Sequence, residues 1–383
     1  MRGEKMLLLL KNAATYAPEY LGRKDIMICG ENIFRISDDI APESIASLGG
    51  EVIDCSSNIV VPGFVDGHVH PLGGGGEGGF SSRTPEGFAE DFIEGGTTTI
   101  IGMLGTDGIT RDHVSLLAKI REFSEKGLNA YMLTGSYRFP VKTITGDLAK
   151  DIVLIPEIVG VGEVAISDHR ASSMSSEELQ RLAMDARVAG LLSGKSGVCV
   201  FHLGDAQARL ELLFKATEDG TLSSRQIMPA HISRSNELLK EGLRWVKERG
   251  GYIDFTADED FTHATLGDLY DQGVDFGKIC VSSDAFGSLP VFDNEKNLIE
   301  LESAPANALM KVFVNTVDEA GMDISKALMP FTVNPSRFYR LVDAGIGVIE
   351  ESKKANLLIM SKDFEVTGVF SRGRFLLKRM GGK

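Results

Sequence analysis

The chain has 383 residues, 43% of them hydrophobic and 25% charged, with a net charge of −14. These proportions exclude a collagenous, coiled-coil or wholly disordered chain, and at ~150 residues per domain the length allows two or three units or one large α/β barrel with an appendage. With no basic run longer than the pairs Lys353–Lys354 and Lys378–Arg379, the surface is not built to track phosphates, and nucleic acid is not an expected partner.

At the N-terminus the apolar run Met6–Leu10 is too short for a signal-peptide core, and no stretch approaches ~18 apolar residues. The expectation is a cytoplasmic protein with no membrane partner. The runs Met6–Lys11, Ile26–Cys29, Ile33–Ile36 and Glu51–Asp54 read as short strands between turns. From residue 61 the pattern changes, and β-rich runs alternate with helical ones. The expected strands are Val61–His70, Thr97–Ile101, Asn129–Ser136, Ile158–Ser167, Val198–Leu203, Ile227–Ser233, Gly251–Thr256 and Lys278–Asp284. Between them, Thr110 is placed to cap a helix that Gly127 ends, Ser175 and Glu178 form a capping box for a helix to about Ser193, and Ser235–Arg249 carries Leu238, Leu239, Leu243 and Val246 on one stripe. Eight such units spaced 24 to 40 residues apart predict an α/β fold with a (β/α)8 TIM-type barrel over 61–344. Short extended runs return at Leu357–Met360, Thr367–Phe370 and Arg374–Leu377, so residues 1–60 and 345–383 are expected to form one small β domain from both termini. The four cysteines lack any Cys-x-x-Cys spacing, which implies neither disulfides nor a thiolate metal site.

His68 and His70 end the first barrel strand. Side chains on a strand repeat with period two, so both imidazoles face the barrel mouth as half of a metal site. His202, His231 and Asp284 fall at the C-terminal ends of later strands, where such barrels build their active sites. Any one of these alone is more often a satisfied polar residue; the set of five is much harder to dismiss.

These residues resemble the ligand set of the amidohydrolase superfamily, whose members are metal hydrolases on a (β/α)8 barrel flanked by a small β-sandwich of both termini. Within it the chain is most similar to the isoaspartyl dipeptidases, through the Gly73–Glu77 loop, Leu104-Gly105-Thr106-Asp107, Leu133–Tyr137, Ile166-Ser167-Asp168-His169-Arg170, Gly194-Lys195, His231 with Arg234, and Ser282-Ser283-Asp284 followed by Ser288. One position departs from that pattern. Those enzymes commonly carry a carbamylated lysine seven residues before the arginine of the Ser-Asp-His-Arg motif, and here that residue is Glu163, with no lysine between Lys150 and Lys195. A glutamate offers the same two oxygens on a shorter stem and is expected to bridge two cations.

The resemblance implies metal-assisted amide hydrolysis by two divalent ions, zinc being favoured by imidazole and carboxylate ligands. His68 and His70 would hold one metal, with Asp284, and His202 and His231 the other, with Glu163 between. The ions would activate a bridging water and polarise the scissile carbonyl. Asp284 would serve as general base and Tyr137 as hydrogen-bond donor to the oxyanion. A β-aspartyl dipeptide presents one ammonium and two carboxylates. Glu77, on a loop whose glycines (Gly75 among them) let backbone approach a ligand, would pair the ammonium. Arg170 and Arg234 would grip the carboxylates, and Thr106 and Ser288 would make neutral contacts. The family also implies a homo-oligomer, with an octamer among the expected forms. His113 and His263 are expected to be solvated, His263 on a loop able to act as a lid, and His169 is expected to support a metal ligand. Three other readings stay open: a ring-opening amidohydrolase of the dihydroorotase or hydantoinase type, an N-acyl-amino-acid deacylase, and a metal-free scaffold.

Overall fold

The computed structural model describes residues 7–379; Met6, the start of the expected Met6–Lys11 run, and the outermost residues of the expected terminal domain lie outside the described residues. In chain order the strands are β1 (Leu7–Tyr16), β2 (Tyr20–Cys29), β3 (Asn32–Ser37), β4 (Glu51–Asp54), β5 (Ile59–Pro62), β6 (Phe64–Val69), β7 (Thr97–Gly102), β8 (Asn129–Thr134), β9 (Ile158–Ile166), β10 (Val198–Leu203), β11 (Ile227–Ala230), β12 (Ile253–Thr256), β13 (Ile279–Ser282), β14 (Ser288–Phe292), β15 (Leu298–Ser303), β16 (Leu357–Met360), β17 (Val366–Ser371) and β18 (Arg374–Lys378).

The eight strands expected for the barrel are all present. β6 to β11 form a parallel sheet in sequence order, and β12 pairs with β13 in parallel. The end of β13 returns to β6 through a parallel bridge between Val69 and Ala285, with the His70 N–H donating to the Ala285 carbonyl (2.9 Å) and the Asp284 N–H to that of His68 (3.1 Å). Strands β6, β7, β9 and β10 are buried along their whole length. Helices cover one side of a parallel barrel and side chains fill the other, which is why these strands read as nearly continuous apolar runs.

Three local expectations need correction. The first barrel strand is divided, because residues up to Pro62 belong to β5 in another sheet and β6 begins at Phe64. The break falls at Gly63, where any Cβ would come within 2.2 Å of Thr98 Cγ2. The second concerns the helix His113–Glu125, whose cap is Asp112, with its Oδ1 accepting the Ser115 N–H at 2.7 Å, while Thr110 hydrogen-bonds Asp107. A carboxylate complements the positive end of the helix better than a hydroxyl does. Finally, β14 and β15 form an antiparallel hairpin after the last barrel strand that the pattern did not predict. The helix Ser176–Ser193 carries the expected capping box of Ser175 with Glu178, the helix Asn236–Arg249 is capped by Ser235, and both end at left-handed glycines, Gly194 and Gly250.

The strands from the two termini join in a single eight-stranded sheet in the order β18-β17-β16-β5-β1-β2-β3, with β4 beside β1. Leu8, Leu10, Ile26, Val60 and Ile359 belong to its apolar core. Asn356, fully buried, fastens this sheet to the barrel. Its Oδ1 accepts from Asn129 Nδ2 (2.9 Å), Ser371 Oγ (3.3 Å) and the Arg372 N–H (3.2 Å), and its Nδ2 donates to the Gly345 carbonyl (3.0 Å). An Asn356→Ala change leaves these buried groups unpaired and is expected to cost about 2–4 kcal/mol in denaturant unfolding; a cost below about 1 kcal/mol would show that the joint lies elsewhere.

Candidate active site

Six expected ligands converge at the C-terminal end of the barrel: His68 on β6, His70 just after it, Glu163 on β9, His202 on β10, His231 after β11 and Asp284 after β13, all buried. Glu163 sits at their centre. Its Oε2 lies 3.3 Å from His68 Nε2, 3.0 Å from His202 Nδ1 and 3.4 Å from His231 Nε2, and its Oε1 lies 3.4 Å from His70 Nε2. Asp284 Oδ1 is 2.9 Å from His70 Nε2 and 3.7 Å from His68 Nε2. The backbone bends to bring these groups together. Opposite the single residue between Cys199 and Phe201 of β10, strand β9 has two between Val161 and Val164, and this bulge carries Glu163. His231 and Asp284 both adopt left-handed conformations, with φ of 63° and 54°.

The donors fit a cation site. His68, Glu163 and His70 form one group of ligand atoms within 4.8 Å of one another, and Glu163, His202 and His231 form a second. Both ring nitrogens of His68 and Oδ1 of Asp284 are buried with no hydrogen-bond partner among the described residues, an arrangement that is costly unless another charge is present. Burial opposes ionisation of Glu163, but the neighbouring imidazoles, His68 first, hold its carboxyl well below the usual range. Burial likewise works against charge on His68, yet Glu163 and Asp284 raise it to about 9, whereas burial and His202 push His231 down to about 3. Against burial, the facing imidazoles, His70 first, lower Asp284 to about 2.

A second layer orients the imidazoles. His70 Nδ1 lies 3.2 Å from the Met103 carbonyl, His231 Nδ1 2.7 Å from Thr256 Oγ1, and His202 Nε2 3.2 Å from Asp168 Oδ2. Partners of this kind fix ring orientation and tautomer. Below the cluster, Asp66 accepts from Ser283 Oγ (2.5 Å) and the Ser283 N–H (3.1 Å), and Asp254 accepts from Ser282 Oγ (2.6 Å). Burial pushes these carboxyls up to about 6 and about 7. Residue-type reasoning missed both, although Asp66 stands two residues before His68 and so shares its strand face.

Glu77 is held beside this cluster, its side chain only 5% exposed. Its Oε1 accepts from Thr106 Oγ1 (2.9 Å), Arg170 Nη1 (3.0 Å) and Ser288 Oγ (3.3 Å), while Oε2 is buried without a partner among the described residues. The expected neutral contacts Thr106 and Ser288 therefore converge on Glu77. Gly75 lies at the turn of the loop with φ +73°, and a Cβ there would meet the Ser82 carbonyl at 2.4 Å. Arg170 is occupied internally. Its Nε and Nη2 bond the two oxygens of Asp168 (2.9 and 2.8 Å), and its guanidinium lies over the rings of Tyr137 and Phe292. Arg234, by contrast, is exposed and makes no hydrogen bond or ion pair through its guanidinium among the described residues. The Tyr137 hydroxyl lies 2.8 Å from His202 Nδ1.

The remaining histidines differ from expectation. His113 is buried, with Nε2 2.8 Å from the Gly135 carbonyl, because its helix packs against the loop that follows β8. His263 lies on the helix Thr262–Asp271 and pairs with Glu319 at 3.3 Å. It is Asp168, not His169, that touches a ligand imidazole; His169 packs edge-on against Phe292.

A buried cluster of four imidazoles and two carboxylates at this end of a parallel barrel is the site of a metal-dependent hydrolase. Residues 212–376 match the model of the amidohydrolase family. The crystal structure of a β-aspartyl dipeptidase from Fervidobacterium islandicum AW-1, in complex with a β-Asp-Leu dipeptide, superposes with a TM-score of 0.92 at 38% identity, covering 98% of each chain. A dihydroorotase of Clostridium acetobutylicum is 24% identical over 94% of this chain and 91% of its own length. Dihydropyrimidinase from Brevibacillus agri NCHU1002 shares the fold, with a TM-score of 0.66 at 15% identity over 98% of this chain and 95% of its own. The chain belongs to the β-aspartyl dipeptidases of the amidohydrolase superfamily, hydrolases acting on amide bonds. Among the described residues no helix is long and apolar enough to cross a membrane.

The loop that carries Tyr137 is anchored by one buried side chain. Asp151 accepts from Thr134 Oγ1 (2.7 Å), the Ile144 N–H (2.8 Å), and the N–H (2.9 Å) and Oγ1 (2.7 Å) of Thr145. Asp151→Ala should destabilise this loop locally by about 1–3 kcal/mol and speed amide exchange at Ile144 and Thr145 roughly 10- to 100-fold; unchanged protection there would rule out the anchor.

Proposed function

We propose that the protein hydrolyses β-aspartyl dipeptides with two divalent ions, zinc being the metal its ligands favour, and with Glu163 in the place of a bridging lysine carbamate. The observation that carries this reading is Glu77. Three donors fix one of its oxygens, and the other is buried and unpartnered beside the metal-fitting cluster. A buried anionic oxygen of this kind calls for a cationic donor from the substrate, and the free ammonium of an aspartyl residue supplies it.

His68, His70 and Asp284 would hold one ion, His202 and His231 the other, with Glu163 reaching both. Bound there, such ions supply Lewis acidity toward a carbonyl and lower the pKa of water. The chain's own residues do the rest. Asp284 takes the proton of the attacking water and delivers it to the leaving amine, a role suited to a carboxylate that stays ionised at neutral pH. Burial keeps the Tyr137 hydroxyl protonated, so it can donate a hydrogen bond to the charge that develops on the scissile carbonyl. In an aspartyl unit the ammonium and the carboxylate share one carbon, so Arg170 is placed for that carboxylate through the Nη1 hydrogen that its bonds to Asp168 and Glu77 leave open. Arg234, exposed at the mouth, is placed for the carboxylate of the leaving residue.

The direct test compares β-aspartyl-leucine with α-aspartyl-leucine on metal-quantified protein, with a chelator control. Selective, chelator-sensitive cleavage of the β-linked peptide is expected, and loss of the Glu77 charge in Glu77→Gln should raise KM roughly 10- to 100-fold. Failure to cleave either peptide with metal bound would assign the site to another amide, cyclic ones included. Metal analysis of Glu163→Gln should find at most one ion per chain where the parent holds two, with activity down at least about 100-fold. Two retained ions would remove Glu163 from the bridging role.

A further inference from the structure

Glu77 can select a substrate amine only if the loop that carries it is stiff, and the composition of that loop works against stiffness. Between residues 73 and 79 every position except Glu77 is glycine. Such a segment has no other side chain to pack and loses more backbone freedom on ordering than any other would. Phe80, which follows, is 83% exposed and gives the loop no core. Apart from the three donors on Glu77 itself, the loop has to be held at its stems.

Both stems meet one buried guanidinium. Arg111, its side chain 6% exposed, donates from Nε to the Leu72 carbonyl (2.9 Å) and from Nη2 to the Thr84 carbonyl (3.3 Å), so it spans the entrance and the exit of the loop. Between these points the Gly74 N–H donates to Thr84 Oγ1 (2.5 Å) and the Thr84 N–H to the Gly74 carbonyl (3.1 Å), which closes the stems on each other. The third nitrogen, Nη1, faces Asp107 Oδ2 at 3.4 Å, and Asp107 accepts from the N–H groups of Ile109 (3.1 Å) and Thr110 (2.8 Å). The neighbour of Asp107 in the chain is Thr106, whose hydroxyl donates to Glu77 at 2.9 Å. One guanidinium therefore touches both ends of the Glu77 loop and the loop that supplies one of the donors to Glu77. Burial, and then Arg83, lower the pKa of Arg111, so its charge stands there against its preference for water and is sustained by these acceptors.

We propose that Arg111 is a positioning residue for substrate recognition, clasping the stems of the glycine-rich loop and so fixing the point at which Glu77 meets the substrate amine. The inference rests on the assignment of Glu77 to that amine. Every nitrogen of the guanidinium is engaged by the protein, so Arg111 acts through Glu77 and not on the substrate. None of these contacts is to a ligand of the metal cluster, so removing them should leave the ions in place.

The test compares kcat/KM for β-aspartyl-leucine with that for succinyl-leucine, the same molecule without its amine, on metal-quantified protein. Arg111→Met keeps the length of the side chain and none of its donors. It is expected to lower the ratio about tenfold or more, through KM for the aspartyl peptide and at the ion content of the parent. Arg111→Lys, one ammonium in place of a planar fork, should fall between the two. Added to Glu77→Gln, Arg111→Met should lower the ratio little further, because the two residues act as a unit. Amide exchange at Gly74 and Gly76 in the substrate-free protein should quicken at least about tenfold in Arg111→Met. A ratio or an exchange rate unchanged in both Arg111 variants, losses that add in full to those of Glu77→Gln, or loss of fold or metal in both variants would overturn the clasp and leave the dipeptidase reading standing. A parent indifferent to the amine, or one that cleaves neither peptide, would overturn the assignment of Glu77 and the clasp with it.

Discussion

Four buried imidazoles gather around one carboxylate, and the geometry of the barrel mouth follows from that crowding. Glu163 Oε2 lies within 3.0 to 3.4 Å of three rings, with the fourth near Oε1. Imidazoles packed this closely in a dry site cannot all carry charge, and a buried carboxylate is tolerated only where donors or cations face it. The opposite directions taken by His68 and His231 express the same constraint: Glu163 and Asp284 outweigh burial at His68, whereas burial and His202 prevail at His231 although it too lies 3.4 Å from Glu163. Bringing the groups to one point takes backbone that L-residues seldom adopt. His231 and Asp284 are left-handed, a conformation costing roughly 1–2 kcal/mol outside glycine, and β9 is bulged at Glu163. The bulge also bears on the residue type, since it re-aims the shorter glutamate stem toward the point where six side chains meet.

From that centre an alternating series of groups runs outward: Glu163, His202, Asp168, Arg170, Glu77. Each link is between 2.8 and 3.2 Å. Asp168 is its pivot, since it holds both a ligand imidazole and, with both oxygens, the guanidinium of Arg170. Paired in this way, Asp168 is held far below the ordinary carboxyl range and Arg170 above the ordinary range, each against the effect of burial. The metal-fitting cluster and the carboxylate assigned to the substrate amine are therefore parts of one rigid object.

What the sequence made legible was whatever depends on local periodicity. The eight strands, the capping box at Ser175 and the ligands at strand ends all follow from patterns within a few residues. Glu163 is located only through the family resemblance, which places a metal-bridging residue seven positions before Arg170. Contacts between distant loops carry no such signature. Nothing near Arg170 in the chain announces that Glu77 would occupy it, and nothing near His113 announces the Gly135 carbonyl. The hairpin β14–β15 escaped for a related reason. It lies within the last βα segment, where the barrel pattern leads one to expect a connection, and its apolar residues alternate on a strand with no core beneath it.

Rigidity between Glu77 and Glu163 has a consequence for linkage. In a β-aspartyl peptide the amine sits on the second carbon from the scissile carbonyl, and in an α-aspartyl peptide it sits on the first. A flexible anionic side chain would follow the amine in either case. Glu77 cannot easily do so, because its Oε1 is fixed by Thr106, Arg170 and Ser288 and only Oε2 remains to meet the substrate. On the function proposed above, with the carbonyl held at the cluster and the amine at Glu77, the distance between them would act as a ruler. A substrate one carbon too short must give up either the ion pair or the alignment of its carbonyl. Such a misfit costs most in the transition state, where alignment matters most.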